Sequence, residues 1–188
     1  VPNMTGTQGL VPDAGDDSLE GEEGLYNLYM RGKYDSTILT ADLGKRFEGE
    51  NVAIKPYPCC RGIHPAIDSA FEVVREVDIS SENIQYIKLH VSEPHQYLLC
   101  TPLDAKAKPR NPVDAQFSIP WGVATAIARK HVSLEDFTEE AIKSHDILEI
   151  ASKIDVEVDD TLKRSDRVDP TRMELKTKQG DIISKIVE

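Results

Sequence analysis

The chain has 188 residues, with 22 Lys plus Arg against 33 Asp plus Glu and a formal net charge of −11. That length suits one domain, or one domain with an appendage. No run approaches the roughly 18 consecutive apolar residues that a membrane span requires, and no Lys/Arg stripe is present to neutralise a row of phosphates, so neither a membrane nor a nucleic acid is an expected partner.

The three cysteines, Cys59, Cys60 and Cys100, are odd in number and two are adjacent, which suits neither a disulfide framework nor the C-x-x-C spacing of a zinc site. No pair of histidines sits four apart with a third ligand, so no metal is expected. The chain opens at Val1, and no charged segment leading into an apolar one marks a secretory signal. A cytosolic protein, read from a piece of something longer, is the expectation.

From Val1 to Gly24 the chain is rich in Gly, Pro, Asp and Glu, with six acids and no base between Asp13 and Glu23, the composition of a linker. Leu25, Leu28, Tyr29, Ile38, Leu39 and Leu43 recur at helical intervals broken at Gly32 and Asp35, which predicts two short helices. Val52-Ala-Ile54 reads as a short strand that breaks into Lys55-Pro-Tyr-Pro-Cys-Cys-Arg61-Gly-Ile-His64-Pro65, because two prolines so close cannot both sit inside a central strand. Pro65 suits a helix first turn, and Ile67, Ala70, Phe71, Val74 and Val77 follow the 3.6-residue period of an amphipathic helix.

Ile87, Leu89 and Val91 alternate with Lys88, His90 and Ser92, the pattern of a half-buried strand. Cys100 to Pro112 is expected to be a loop. Asp114 to Arg129, apolar on nearly every side, reads as one buried helix, with Pro120 at a first turn or a kink. Ser133 and Thr138 are candidate N-caps for a helical region running to about Lys153. Ile154, Val156 and Val158 alternate next, and Met173 to Val187, turning at Gln179-Gly-Asp181, reads as a hairpin. The predicted fold class is α+β: a mixed or antiparallel sheet with helices packed on one face, from about residue 51 to 188, preceded by helices foreign to it.

The segment from Lys55 to Pro65 carries the most chemistry. Lys55 and Arg61 flank a rigid turn that delivers the chain to a helix N-terminus, an arrangement suited to anions: a guanidinium grips a carboxylate with two N–H groups while an ammonium adds a point charge. The alternative is that both cations pair with local acids on an acidic surface. His64 can be a helix cap, a hydrogen-bonded buried residue or an acid–base group. His90 and His145 read as solvated, whereas His95 and Tyr97, in a turn after a strand, are within reach of a pocket. Cys59 beside Arg61 can have a lowered pKa or be a small buried residue.

Lys55-Pro-Tyr-Pro-Cys-Cys-Arg-Gly-Ile-His-Pro-Ala-Ile-Asp68 strongly resembles a segment of the 2-methylcitrate dehydratase family, also called MmgE/PrpD, which includes cis-aconitate decarboxylase and iminodisuccinate epimerase. Leu19 to Tyr29, Leu43 to Phe47 and Asp114 to Ala124 agree with it in the same order. The resemblance implies a homodimer of two-domain chains, each with a large all-helical domain and an α+β lid, and an active site between the domains. Residues 1–50 then look like the end of the helical domain and 51–188 like the lid.

The resemblance makes Lys55 and His64 catalytic candidates, and Lys55, Arg61 and Tyr97 substrate-binding candidates. It implies a small di- or tricarboxylic acid as substrate, proton transfer beside a carboxylate as the common step, and no cofactor. The family's catalytic residues on the helical domain have no counterpart in this sequence, so the missing all-helical domain of the same chain is an expected partner and the fragment alone is expected to be inactive. The competing reading is a stand-alone α+β module that binds an anionic metabolite in a regulatory role.

Overall fold

A computed structural model of the chain describes residues 17–77 and 79–187, apart from the side chains of Asp17, Leu39 and Glu48. The linker expected over Val1–Gly24 lies outside the described residues as far as Asp16. Two compact units divide the chain, Val1–Ala53 and Ile54–Glu188.

In the first unit, helices α1 (Asp17–Glu20), α2 (Leu25–Met30) and α3 (Thr37–Thr40) are each under two turns long, too short to persist without packing. Tyr26 is buried and stacks on Tyr34 with ring centroids 4.1 Å apart. The other apolar side chains find little cover: Leu28, Tyr29, Ile38, Leu43 and Phe47 are all exposed.

The second unit is α+β. Helix α4 (His64–Glu76) carries Pro65 in its first turn and is followed by strand β1 (Ile84–Val91). Next come α5 (Glu93–His95), a π-helical turn (Gln96–Cys100), α6 (Leu103–Ala107), α7 (Pro112–Gln116), α8 (Ile119–Arg129) and α9 (His145–Ala151). Strands β2 (Ile154–Val158), β3 (Thr171–Thr177) and β4 (Ile182–Val187) complete the unit. The sheet order is β2-β1-β3-β4, with β1 and β2 parallel and the other neighbours antiparallel. The mixed pattern follows from connection length, since only the helix-filled segment between β1 and β2 is long enough to return the chain in the same direction.

Helix α4 packs on β3 and β4, and α8 lies against α4 and α9. Ile67, Ile87, Leu89, Trp121, Met173 and Leu175 are inaccessible to solvent and share one core. The Trp121 indole Nε1–H donates to the Asp136 carbonyl at 3.1 Å, so burying that ring strands no donor.

Four local expectations are revised. Val52-Ala-Ile54 is extended but forms no strand, because no neighbouring segment offers it a ladder. The Cys100–Pro112 loop contains α6, whose backbone closes hydrogen bonds from Lys106 N–H to Pro102 and from Lys108 N–H to Asp104. The single helix expected over Asp114–Arg129 is two: Asn111 caps α7 by accepting from Asp114 N–H at 2.9 Å, and Ser118 caps α8 by accepting from Trp121 N–H at 3.0 Å. Pro120 falls in the first turn of α8, where its missing N–H costs nothing. His90 is not solvated: it is buried on the outer face of β1, with Nε2 3.4 Å from Glu174 on the adjacent strand.

Candidate functional site

The turn from Lys55 to Ile63 is held at three points. Cys60 N–H donates to the Gln116 carbonyl at 2.9 Å, tying the turn to the end of α7. The Tyr57 hydroxyl donates to Asp68 Oδ1 at 2.5 Å, one turn into α4. Burial foremost, and then the Asp68 carboxylate, push the phenol far above its ordinary pKa and keep it a donor. Ile63, inaccessible to solvent, anchors the far end in the core.

Two cavities open beside this turn. One, of about 270 Å³, is lined by Lys55, Pro58, Cys59, Cys60, Gln116 and Phe117. The other, of about 340 Å³, takes in Cys60, Arg61, Gly62, His95 and Leu99 together with Arg164, Arg167 and Asp169. Cys60 is their shared wall. The Lys55 ammonium donates to the Cys59 carbonyl at 3.3 Å, and neither Lys55 nor Arg61 pairs with an acid among the described residues. Pairing with local acids, one of the two readings of these cations, is therefore not what the fold does.

The remaining candidates sit elsewhere. His64 is buried at the start of α4, its ring edge-on to Tyr57 with centroids 5.2 Å apart, and it lines neither cavity. Burial is the main cause holding its pKa below the ordinary histidine value, only partly offset by the backbone at Cys59 and by Asp68. Its Nε2 has no hydrogen-bond partner among the described residues. Tyr97 is 77 % exposed on the π-helical turn and is in neither lining. The structure thus brings Lys55 and Arg61 together around Cys60 and leaves His64 and Tyr97 apart from them.

Of the two readings of Cys59, the structure supports the small buried residue. It is buried, and burial pushes its thiol up to about 12, with the Lys55 charge too weak to reverse the effect. Cys100 is likewise raised to about 12 by burial, so both act as small apolar residues. Among the described residues no group of three or more His, Cys, Asp or Glu is placed to hold a metal ion, and no helix is long and apolar enough to cross a membrane.

Sequence reasoning missed His95 as a neighbour of Arg61, and missed Arg164, Arg167 and Gln116 altogether. The pair Arg164-Ser-Asp-Arg167 between two predicted strands was the available signal, but nothing local says that it folds back onto a turn a hundred residues earlier. Residues 57–188 match the MmgE/PrpD C-terminal domain. The chain belongs to the MmgE/PrpD family. No match was found among curated proteins. The MmgE/PrpD match begins two residues after Lys55 and takes in the rest of the turn, both arginines that close the second cavity, and the whole sheet.

Proposed function

We propose that this chain is the lid part of an MmgE/PrpD lyase or isomerase that acts on a small di- or tricarboxylic acid, with the Lys55 turn holding a carboxylate of the substrate. The observation that carries the reading is the turn itself. On a chain of net charge −11, Lys55 and Arg61 face adjoining cavities with no acid paired to either among the described residues.

Dehydration, decarboxylation and epimerisation beside a carboxylate share one requirement. Negative charge builds up on or near that group as a proton or carbon dioxide leaves the neighbouring carbon, and it is discharged when a proton is delivered there. An ammonium positioned in advance stabilises that charge without reorganising during the reaction. The base that takes the proton would lie on the all-helical domain of the parent enzyme, so the chain alone has no turnover in this reading. Closure of the lid would exclude water and strengthen the Lys55–carboxylate attraction. His64, neutral and walled in by Tyr57, would act by fixing the start of α4 rather than by moving protons.

The test is an activity screen of the full-length parent against 2-methylcitrate, citrate, cis-aconitate and iminodisuccinate. Turnover of one of these, abolished when the lid is deleted, is the expected result. Binding of such acids with no turnover in any full-length form would favour the regulatory module instead.

A further inference from the structure

The sheet ends in two edge strands, β2 and β4, and the chain treats them differently. Along β2, the Lys153 carbonyl accepts from Ile87 and the Asp159 N–H donates to Val91, so alternation turns the backbone of Val156 away from β1. That outward N–H is already taken, because Asp155 Oδ1 accepts it at 2.9 Å. Asp155 and Glu157 also place negative charge along the strand, a guard that keeps an edge from pairing with another chain.

β4 has no such guard. Continuing its register with β3, Thr177 N–H donates to the Asp181 carbonyl at 2.9 Å. Antiparallel bonding alternates residue by residue, so Ile183, Lys185 and Val187 give their backbone groups to β3, while Ile182, Ser184 and Ile186 turn theirs outward. Those outward groups meet no partner among the described residues. The strand contains no proline and its register with β3 is unbroken. Its one charge, Lys185, lies on the inner face and pairs with Glu76 of α4.

The side chains of β4 match this edge to itself. Ile182 and Ile186 are 61 % and 53 % exposed on the open face of the sheet, beside Lys176 and Arg172 of β3. An antiparallel copy of the strand centred on Ser184 sets Ser184 against Ser184 and, on either side, Ile182 against Ile186. These are apolar cross-strand pairs, and they fall on the same three residues whose N–H and C=O groups are free. Moving the centre to Lys185 would set lysine against lysine, which is unfavourable. Self-complementarity about one residue is what a two-fold interface requires.

We propose that β4 pairs antiparallel with β4 of a second copy of this chain, about a two-fold axis through Ser184, joining the two four-stranded sheets into one. A six-residue strand buries less than the roughly 1,000 Å² of a stable complex, and each copy carries a net charge of −11. The pairing is therefore weak, and salt that screens the mutual repulsion strengthens it. The inference does not rest on the lyase reading, because no residue of the Lys55 turn takes part in it.

Amide hydrogen exchange of the 188-residue chain, read residue by residue by NMR at low and high protein concentration in moderate salt, tests the proposal. Exchange at Ile182, Ser184 and Ile186 should slow at least about tenfold at the high concentration, and more than at Ile183 and Lys185, which already bond to β3. Ser184→Lys and Ser184→Glu each set like charges across the axis and should weaken the pairing at least about threefold. An equimolar mixture of the two variants sets opposite charges there and should restore the protection. Melting temperatures at low concentration, expected to stay near that of the unaltered chain because Ser184 is exposed, show that both variants fold. Protection at Ser184 that does not depend on concentration, or that survives in each variant alone, overturns the proposal. Association seen by light scattering while Ser184 exchange stays fast also overturns it, by placing the contact elsewhere. So does exchange that slows only in the full-length parent and stays slow on dilution, which would give the edge to another part of the same chain.

Discussion

Lys55 and His64 bracket the same turn, yet burial treats them oppositely. The lysine is exposed and its ammonium touches only the Cys59 carbonyl, so its removal leaves the core untouched. In the full-length parent, Lys55→Ala should lower kcat/KM by at least about 100-fold, roughly 2.7 kcal/mol of transition-state stabilisation, with little change in melting temperature. A variant that keeps near wild-type kcat/KM on the true substrate would remove the site from this turn. His64 and His95 are both held below the ordinary value of 6.5, chiefly by burial. The folded chain therefore binds fewer protons than the unfolded chain as pH drops below 6.5. Stability from these two groups is complete above that value and drains away as pH falls toward their folded pKa values. Asp169, whose pKa is lowered because the Ser92 and Arg164 bonds outweigh burial, keeps its contribution until pH falls below the ordinary carboxylate range. Melting curves between about pH 8 and about pH 5 should show a decline that is shallower in His95→Gln. A flat profile would contradict the buried neutral state of both rings.

Helix α8 shows how closely one element must fit another. Gly122 faces the start of α4, where an added Cβ would come within 2.7 Å of Ile63 Cγ2 and 3.3 Å of Ile67 Cγ1. Alanine would gain about 1 kcal/mol of helix propensity, but Ile63 is inaccessible to solvent and β-branched, so it has no rotamer to retreat into. Overpacking should win, and Gly122→Ala should destabilise by about 1–3 kcal/mol in a denaturant titration. A stabilised variant would mean that α4 and α8 can separate freely. The break between α7 and α8 makes the same point about reading elements locally. Helical periodicity runs straight through Phe117, while the Ser118 cap and Pro120 were the only local marks of a new start.

At the scale of the molecule, the two units differ in how their apolar residues are covered. From Ile54 onward one core is closed around Trp121, Ile67 and Leu89. In the unit ending at Ala53, Leu28, Tyr29 and Leu43 are 65 %, 79 % and 70 % exposed, a pattern that favours contact with another apolar surface. Light scattering should show the 188-residue chain associating as its concentration rises, and a chain starting at Ile54 associating less while keeping its melting temperature. Equal behaviour of the two would mean that those side chains do not drive association. The open face of the sheet is satisfied differently: Lys88 meets Glu157 at 3.3 Å and Arg172 meets Asp159 at 2.9 Å, so its charges are answered across strands.

The amino-acid sequence by itself determined what depends on a few neighbouring residues. It placed α4 from Pro65 and the 3.6-residue period, β1 and β3 from alternation, the β3–β4 hairpin from Gln179-Gly-Asp181, and a resemblance to the family whose C-terminal domain residues 57–188 match. Tertiary structure decided the parallel pairing of β1 with β2, the burial of His64 and His90, the raised Cys59 thiol, and the meeting of Arg61 with His95, Arg164 and Arg167. The reason is range. Period, capping and turn chemistry act over one or two turns of chain, whereas which side chains share a cavity is set by sheet order and by how α4 and α8 dock, interactions between residues far apart in sequence.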